Sequence, residues 1–216
     1  MNLVIITSAI LAKSFFTPEE RLKQTLDTIN SVKKHISQPI IYIVEDTDIS
    51  KTHFYDKLTE EVDTVLIFDQ KFSRKRPGVY FGLNKSIGEA DLIIYGLTYF
   101  LGTCKTFKNI YKISGRYFLT DEYDDSKMVD NMYNFLYKIY PERMNLQVYQ
   151  TYFYRVPACF LNDYIHLLEN IPDLVVSLDT DIETVFCCKI NRNHVNRLER
   201  LHCRGFLSVS GEIIEE

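Results

Sequence analysis

The stretch LVIITS, residues 3–8, decides the fold that this chain is expected to adopt. It is a short apolar run, mostly β-branched, that ends in Thr7 and Ser8. Such a run is typical of a parallel strand that is covered by helices on both faces. The sequence therefore predicts a buried first strand with polar groups at its carboxyl end.

A strong helix-start signal follows this strand. Thr17 can cap the helix, Pro18 suits its first position, and Glu20 stands where a capping box requires a carboxylate. Apolar residues then recur at steps of three and four as far as Ile36, which predicts a helix packed on a core.

The next segments repeat the alternation between strand and helix. IIYIVEDT, residues 40–47, and DTVLIF, residues 63–68, predict two strands, with a short helix over 51–62 between them. This order of elements predicts an α/β fold with a mostly parallel sheet flanked by helices.

The rest of the chain continues the pattern after a basic loop that contains KFSRKR, residues 71–76. Two further strands are predicted, over 109–119 and 145–157. Helices are predicted over 84–101, 127–139, 158–170 and 181–191.

Composition limits the class of protein. The 216 residues can form one sizeable core, so a single domain over 1–216 is predicted. The 25 basic and 29 acidic residues argue against a broad basic surface for nucleic acid. The five cysteines lack C-x-x-C spacing, which favours a reducing, cytoplasmic location. The apolar start of the chain is too short for a transmembrane segment.

Polar residues gather where three predicted strands end. Thr7 and Ser8 follow the first strand, Glu45 and Asp46 the second, and residues 116–121 the fourth. In a doubly wound sheet these carboxyl ends share one edge, where ligands bind. The glycine-rich phosphate motifs are absent, so carboxylates would bind the sugar or base of a nucleotide, and metal, Lys or Arg its phosphates.

With these features in place, the chain resembles small glycosyltransferases of the GT-A fold, such as those of bacterial surface-polysaccharide gene sets and large DNA viruses. The resemblance rests on the order and character of four segments rather than on one diagnostic motif. They are ITSAI, residues 6–10, IIYIVEDT, residues 40–47, NKSIGEADLIIYGL, residues 84–97, and KISGRYFLTD, residues 112–121.

The resemblance implies a hexosyl- or deoxyhexosyltransferase that takes a nucleotide-sugar donor and a glycan or other hydroxyl acceptor. By resemblance, Thr7, Ser8 and Asp46 would contact the nucleoside, and the fourth strand would hold the diphosphate. GT-A enzymes commonly carry Asp-x-Asp here for Mn²⁺ or Mg²⁺, whereas this chain has Gly115-Arg116-Tyr117.

Two solutions for the diphosphate charge are therefore open. In the first, Asp121, alone or with Glu122 or Asp124, holds a divalent cation that acts as a Lewis acid. By resemblance, His202 in the C-terminal tail would reach this metal or the diphosphate. In the second, Lys112 and Arg116, which share a face in strict alternation, neutralise the charge directly. A third interpretation is that Arg116 forms only a structural ion pair with an acidic residue inside the fold.

The base for the acceptor hydroxyl is expected in SLDTDIETVF, residues 177–186. Proton removal needs a carboxylate within hydrogen-bond reach of the hydroxyl. By resemblance, an acid near the start of a late helix fills this role, which makes Asp181 and Glu183 the catalytic candidates. Asp181 is favoured, because Thr180 and Glu183 match a capping box that would occupy Glu183.

Two other functions fit the same pattern. A nucleotidyltransferase would use a similar sheet, but AILAKSFFTPEE, residues 9–20, lacks the glycine- and arginine-rich loop that such enzymes carry after the first strand. A non-catalytic nucleotide-sugar-binding module would retain the fold and the donor contacts alone.

Overall fold

The structure, a computed structural model, describes residues 1–69, 71–72, 85–103, 105–207 and 210–215. Its helices are α1 (Pro18–His35), α2 (His53–Thr59), α3 (Lys85–Leu101), α4 (Leu161–Leu178) and α5 (Ile182–Lys189). Its strands are β1 (Asn2–Ser8), β2 (Pro39–Glu45), β3 (Thr64–Ile67), β4 (Asn109–Ser114), β5 (Tyr117–Leu119), β6 (Tyr133–Tyr140), β7 (Leu146–Pro157), β8 (Val195–Leu198), β9 (Cys203–Phe206) and β10 (Ile213–Glu215).

The central sheet has seven strands in the order β3-β2-β1-β4-β7-β6-β8. Strands β3, β2, β1 and β4 are parallel, β7 is antiparallel to β4 and β6, and β8 is parallel to β6. A small sheet, β10-β9-β5, lies beside it. The predicted α/β fold with a mostly parallel sheet is confirmed.

Two apolar cores cover the two faces of the central sheet. Leu3 and Ile5 of β1 belong to the core that includes α3, α4 and α5, whereas Val4 and Ile6 belong to the core that includes α1 and α2. All four side chains are completely buried. Burial on both faces explains why β1 is apolar throughout instead of alternating.

Helix α1 begins where the sequence predicted. The side chain of Thr17 accepts a hydrogen bond from the backbone N–H of Glu20 at 3.2 Å, and the Glu20 carboxylate accepts one from the N–H of Thr17 at 2.8 Å. Pro18 is the first helical residue, so the predicted capping box is complete.

The chain reverses direction at Gly115, where one continuous strand was predicted. The N–H of Gly115 donates to the carbonyl of Thr7 at 2.8 Å, and a Cβ at Gly115 would lie 3.1 Å from Oγ1 of Thr25. Strand β5 then runs back along α1, because Thr28 Oγ1 donates to the Tyr117 carbonyl at 2.7 Å and the Leu119 N–H donates to Ser31 Oγ at 3.1 Å. The predicted strand over 109–119 is therefore two strands in two different sheets.

The helix predicted over 127–139 is wrong, because most of that segment forms β6. Its apolar residues recur at helical steps, but Tyr133 and Phe135 belong to one core and Leu136 to the other. A strand buried on both faces loses the alternation that would distinguish it from a helix. The helix predicted over 158–170 is confirmed as α4, which continues beyond it through Pro172 to Leu178.

The basic loop predicted over residues 69–78 lies mostly outside the described residues. None of the helices in the described ranges is both long and apolar enough to cross a bilayer.

The two glycines of α3 provide a matched test of how tightly this helix packs on the sheet. A Cβ at Gly96 would lie 2.8 Å from Cγ2 of the buried Val44, whereas a Cβ at Gly88 would meet no atom within 4 Å. We expect Gly88→Ala to raise the free energy of unfolding by up to about 1 kcal/mol through helix propensity. Gly96→Ala should lower it by about 1–3 kcal/mol through overpacking. Urea unfolding measures both values, and equal stabilisation by the two substitutions would contradict the packing.

Candidate functional site

The loop after β1 is held down by Glu45, the last residue of β2. Oε1 of Glu45 accepts hydrogen bonds from the N–H of Ile10 at 2.8 Å and from the N–H and hydroxyl of Thr47. The hydroxyl of Thr47 in turn accepts from the N–H of Leu11 at 3.1 Å. These contacts join the carboxyl ends of β1 and β2 into one edge of the sheet.

Glu45 also keeps one oxygen without a partner among the described residues. The side chain is completely buried, and Oε2 makes no hydrogen bond there. Burial raises the pKa of Glu45, and the hydrogen bonds from Thr47 and Ile10 partly oppose this rise. With no exposed surface, Glu45 lies beneath this edge of the sheet and is not open to a ligand.

Thr7, Ser8 and Asp46 lie at this same edge, as predicted. Ser8 Oγ is 3.3 Å from Oγ1 of Thr25, and the carbonyl of Ser8 accepts from the N–H of Asp46 at 2.9 Å. Asp46 is exposed at the surface, but neighbouring atoms displace enough water to raise its pKa. Thr7 is half-buried and holds Gly115 through its carbonyl.

Lys112 lies in the centre of the sheet with no exposed surface. Its ammonium group donates to Oε1 of Glu89 on α3, to Ser114 Oγ at 3.0 Å and to the Thr151 carbonyl at 2.6 Å. Burial lowers the pKa of Lys112, and the carboxylate of Glu89 acts in the opposite direction. The prediction that Lys112 and Arg116 share a face of one strand is wrong, because β4 ends at Ser114 and Arg116 lies in the turn before β5.

Glu183 joins the same group of side chains through Thr151. The hydroxyl of Thr151 donates to Oε1 of Glu183 at 2.9 Å, while its carbonyl accepts from Lys112. Burial, and then the negative charge of Glu89, raise the pKa of Glu183. A carboxylate with a raised pKa suits a general base near neutral pH.

The capping arrangement at the start of α5 differs from the predicted one. Asp181, not Thr180, is the N-cap, and its Oδ1 accepts from the N–H of Thr184 at 2.8 Å. The cap thus occupies the favoured candidate Asp181 and leaves Glu183 outside the capping box. The reason is that the helix begins one residue later than the sequence pattern suggested.

Two arginines contribute positive charge close to the turn after β4. Arg116 Nη1 donates to the Phe206 carbonyl at 2.9 Å, and Arg21 donates to Ser14 Oγ at 2.8 Å and to the Ala9 carbonyl at 3.1 Å. Burial lowers the pKa of both, and the charge of Arg116 lowers that of Arg21 further. Their mutual repulsion means that an anion placed between them would be stabilised.

Glu89 is the neighbour that these groups have in common. Its charge acts on Arg116 and Lys112, whose positive charges it stabilises, and on Glu183, whose ionisation it opposes. The structure therefore brings Lys112, Arg116 and Glu183 into one electrostatic cluster. At the end of β2, the charge of Glu45 likewise stabilises the positive charge of Arg21 and opposes the lowering of its pKa.

Asp121 is not part of this cluster. It lies beyond β5, where it pairs with Lys34 and stands 3.7 Å from His35 Nε2, at the opposite end of α1 from Thr17. The physical reason is the reversal at Gly115, which turns the chain back along α1 before the acidic residues begin. His202 also lies at that end, with its Nδ1 3.0 Å from Glu122 Oε2.

The residues at the turn after β4 do not fit the divalent cation of the usual GT-A pattern. The turn presents Ser114, Gly115 and Arg116, whereas Mg²⁺ and Mn²⁺ are bound by carboxylate oxygens. Within the described ranges, no three His, Cys, Asp or Glu side chains are grouped so that they could hold a metal ion. Arg116 adds a positive charge at the position where the usual motif supplies acidic ligands.

Sequence analysis missed two members of the site. Glu89 and Asp91 are the two acidic residues of a helix that is mostly apolar, and a carboxylate in such a helix is a signal that it meets a polar or charged partner inside the fold. Arg21 is buried on α1 one turn before Thr25, and nothing in its local pattern distinguishes it from a surface arginine.

Comparisons with known proteins show the fold alone. Neither a scan of protein-family models nor a search of curated protein sequences finds a match to this chain. Among solved structures, the glycosyltransferase GlyE of Streptococcus pneumoniae TIGR4 is similar with a TM-score of 0.55 and 9% identity, over 91% of this chain and 45% of that one.

Two further similar structures extend the comparison. A nucleoside-diphosphate-sugar pyrophosphorylase from Vibrio cholerae RC9 has a TM-score of 0.57 and 10% identity, over 97% of this chain and 96% of that one. The bifunctional glycosyltransferase WbbM has a TM-score of 0.51 and 10% identity, over 90% of this chain and 38% of that one. This chain thus spans less than half the length of GlyE and WbbM. The α/β fold is of the type shared by GT-A glycosyltransferases and nucleotidyltransferases.

The Lys112–Glu89 pair can be tested by a double-mutant cycle. We expect Lys112→Met to lower the free energy of unfolding by about 3–5 kcal/mol, because it leaves buried carboxylates without their cation. Glu89→Gln in the Lys112→Met background should recover a large part of this loss, since it removes the charge that is left unpaired.

Lys34→Met is the matched control for this cycle. Lys34 pairs with Asp121 at the surface, where both side chains are mostly exposed, so its removal should change stability little. Urea unfolding of the four proteins of the cycle and of the control gives the comparison. Equal losses for Lys112→Met and Lys34→Met would show that the buried pair has no special energetic role.

Proposed function

We propose that this protein is a glycosyltransferase that moves a hexosyl or deoxyhexosyl group from a nucleotide-diphosphate sugar to a hydroxyl group of a glycan or related acceptor. The observation that carries the proposal is the convergence of buried cations and carboxylates near the carboxyl ends of β1, β2 and β4. Arg116 and Lys112 supply positive charge, and Glu183 supplies a carboxylate with a raised pKa.

The cations suit the leaving group of this reaction. When the bond between the anomeric carbon and the diphosphate oxygen breaks, the electron pair stays on the diphosphate, whose charge must be stabilised as it develops. Arg116 is suited to this task because a guanidinium can donate two parallel hydrogen bonds to phosphate oxygens. Lys112 donates to three acceptors and is buried below the carboxyl edge of the sheet. It would therefore act on the diphosphate through its charge, without direct contact.

Glu183 suits the second requirement of the transfer reaction, which is removal of the proton from the acceptor hydroxyl. The acceptor oxygen forms its new bond to the anomeric carbon, and its proton passes to a carboxylate within hydrogen-bond reach. Glu183 is held by Thr151 and is not engaged in helix capping, whereas Asp181 caps α5. We therefore assign the base to Glu183 and a structural role to Asp181.

The nucleoside would lie at the edge formed by the ends of β1 and β2. The exposed carboxylate of Asp46 is an acceptor for its hydroxyl or N–H groups, and the buried Glu45 holds the loop beneath it. A place in polysaccharide assembly follows if the acceptor is a glycan.

A screen of donors tests the proposal directly. UDP-, GDP- and dTDP-sugars are incubated with the purified protein, and free sugar and nucleoside diphosphate are measured, with nucleotide-free buffer and heat-treated protein as controls. Slow hydrolysis of one donor is expected even without an acceptor. Binding of a nucleotide sugar with no hydrolysis or transfer would favour a binding module, and release of pyrophosphate from a nucleoside triphosphate and a sugar phosphate would favour a nucleotidyltransferase.

The cationic site predicts a clear ranking of two substitutions. Arg116→Lys should weaken the binding of the matching nucleoside diphosphate by about tenfold or more, since it removes a charge-assisted hydrogen bond of about 1.5–3 kcal/mol. Asp121→Asn should leave the affinity unchanged with or without Mn²⁺, because Asp121 pairs with Lys34 at the other end of α1. Calorimetric titration measures both affinities, and Arg143→Lys on the exposed turn after β6 is the control. The opposite ranking would support a metal held by Asp121.

The pH dependence of the reaction tests the role of Glu183. Burial and Glu89 raise the pKa of Glu183, so kcat/KM should increase with pH through an acidic limb that lies above about 4.3, the usual value for Glu. Glu89→Gln should move this limb to lower pH, because it removes the repelling charge. Glu183→Gln should abolish transfer with little change in donor affinity.

Glu142→Gln, on the exposed turn before β7, is the control for the pH profile. It should leave the acidic limb unchanged. An acidic limb that survives Glu183→Gln would assign the base to another residue.

A further inference from the structure

A polar cavity lies at the edge of the sheet opposite the candidate site. It has a volume of about 510 Å³ and is bordered by Asn2 and Asn109 at the amino ends of β1 and β4. Its size falls in the range of small-molecule sites. It is remote from the proposed donor site, because Ser8 and Glu45 lie at the carboxyl ends of β1 and β2.

The cavity contains a buried arginine whose hydrogen-bonding capacity is largely unused. Arg155 of β7 is 3% exposed, and its guanidinium carbon lies 6.0 Å from the centre of the Tyr111 ring. Its Nε and Nη2 have no hydrogen-bond acceptor at normal distance in the described ranges. The carboxylate nearest to Nη2 is Asp130, whose Oδ1 is 3.6 Å away and thus beyond hydrogen-bond distance. Leaving buried donors of a charged group unsatisfied is costly, which indicates that a partner completes this site.

The acidic residues around Arg155 have other partners. Oδ2 of Asp130 is 2.8 Å from the ammonium group of Lys108, and the side chain of Asp130 is more than half exposed. Oδ1 of Asp125 accepts from the phenols of Tyr111 at 2.9 Å and Tyr123 at 2.8 Å. Asp130 can therefore move with Lys108 and leave Nη2 to an incoming anion, while Asp125 stays in place.

The other residues that line the cavity indicate the chemistry of the part of a ligand that does not contact Arg155. The cavity is lined by the polar side chains of Ser37, Gln38 and Ser126 in addition to the two asparagines. These side chains offer hydrogen-bond donors and acceptors to hydroxyl groups, and Met1 and Met128 supply the apolar part of the wall.

We propose that this cavity binds a small hydroxylated molecule through an oxyanion, a phosphate or a carboxylate, that pairs with Arg155. The planar guanidinium matches the geometry of either group through two parallel hydrogen bonds. Lys108 also borders the cavity, with its charge paired to Asp130. This site is independent of glycosyl transfer at the opposite edge.

The test follows the side-chain Nε–Hε resonance of Arg155 by nuclear magnetic resonance during titration of the whole protein. The probes are inorganic phosphate, acetate and a hexose 6-phosphate, with the unphosphorylated hexose as a control. We expect a saturable shift with an oxyanion probe, and tighter binding of the hexose phosphate than of inorganic phosphate. The phosphate and acetate titrations distinguish the two oxyanion classes.

Two variants separate this site from general anion binding. Ser126→Phe places a ring in the cavity from an exposed position without altering Arg155, so it should abolish the shift. Arg155→Lys should weaken binding by about tenfold or more, through loss of a charge-assisted hydrogen bond. Arg143, outside the cavity, should show no saturable shift. The proposal would be overturned if the Arg155 resonance shifted with none of the probes. It would also be overturned if the shift were the same in Ser126→Phe as in the unsubstituted protein.

Discussion

The burial of one ammonium group in the middle of the sheet is the constraint on which the rest of this structure depends. Lys112 has no contact with water, so its charge requires acceptors from the surrounding elements. Glu89 of α3, Ser114 of β4 and Thr151 of β7 supply them. The position of α3 relative to the sheet and the register of β7 on β4 are thereby linked to a single charge. Thr151 extends the arrangement to Glu183, so the candidate base is positioned by the same interaction.

The reversal of the chain at Gly115 determines which charges lie near the candidate site. Arg116 stays in the turn at the carboxyl edge of the sheet and Lys112 lies buried beneath it, while β5 carries the acidic residues to the far end of α1. Positive charge therefore dominates at this turn. The fold is of the type found in GT-A glycosyltransferases, but the charge at this turn has the opposite sign to that of an Asp-x-Asp motif.

Local patterns predicted much of this architecture. The capping box at Thr17 and the apolar runs of β1 and β2 depend on neighbouring residues, so they could be recognised without knowledge of tertiary contacts. The segment over 127–139 could not, because β6 is buried on both faces and its apolar residues also match a helical spacing. The end of β4 at Ser114 was missed for a similar reason, since YFL continues the alternation of β4 in sequence but pairs with β9 in space.

The sequence by itself determined the α/β class, the order of the first strands and helices, and the gathering of Thr7, Ser8 and Asp46 at one edge. These features follow from periodicity, capping and the shared direction of parallel strands. Only the tertiary structure decided that Glu89 meets Lys112, that Glu183 rather than Asp181 is left uncapped, and that Asp121 lies away from the site. Each of these outcomes depends on contacts between residues far apart in the chain, and on a turn whose direction is set by the close packing of Gly115 against Thr7 and Thr25.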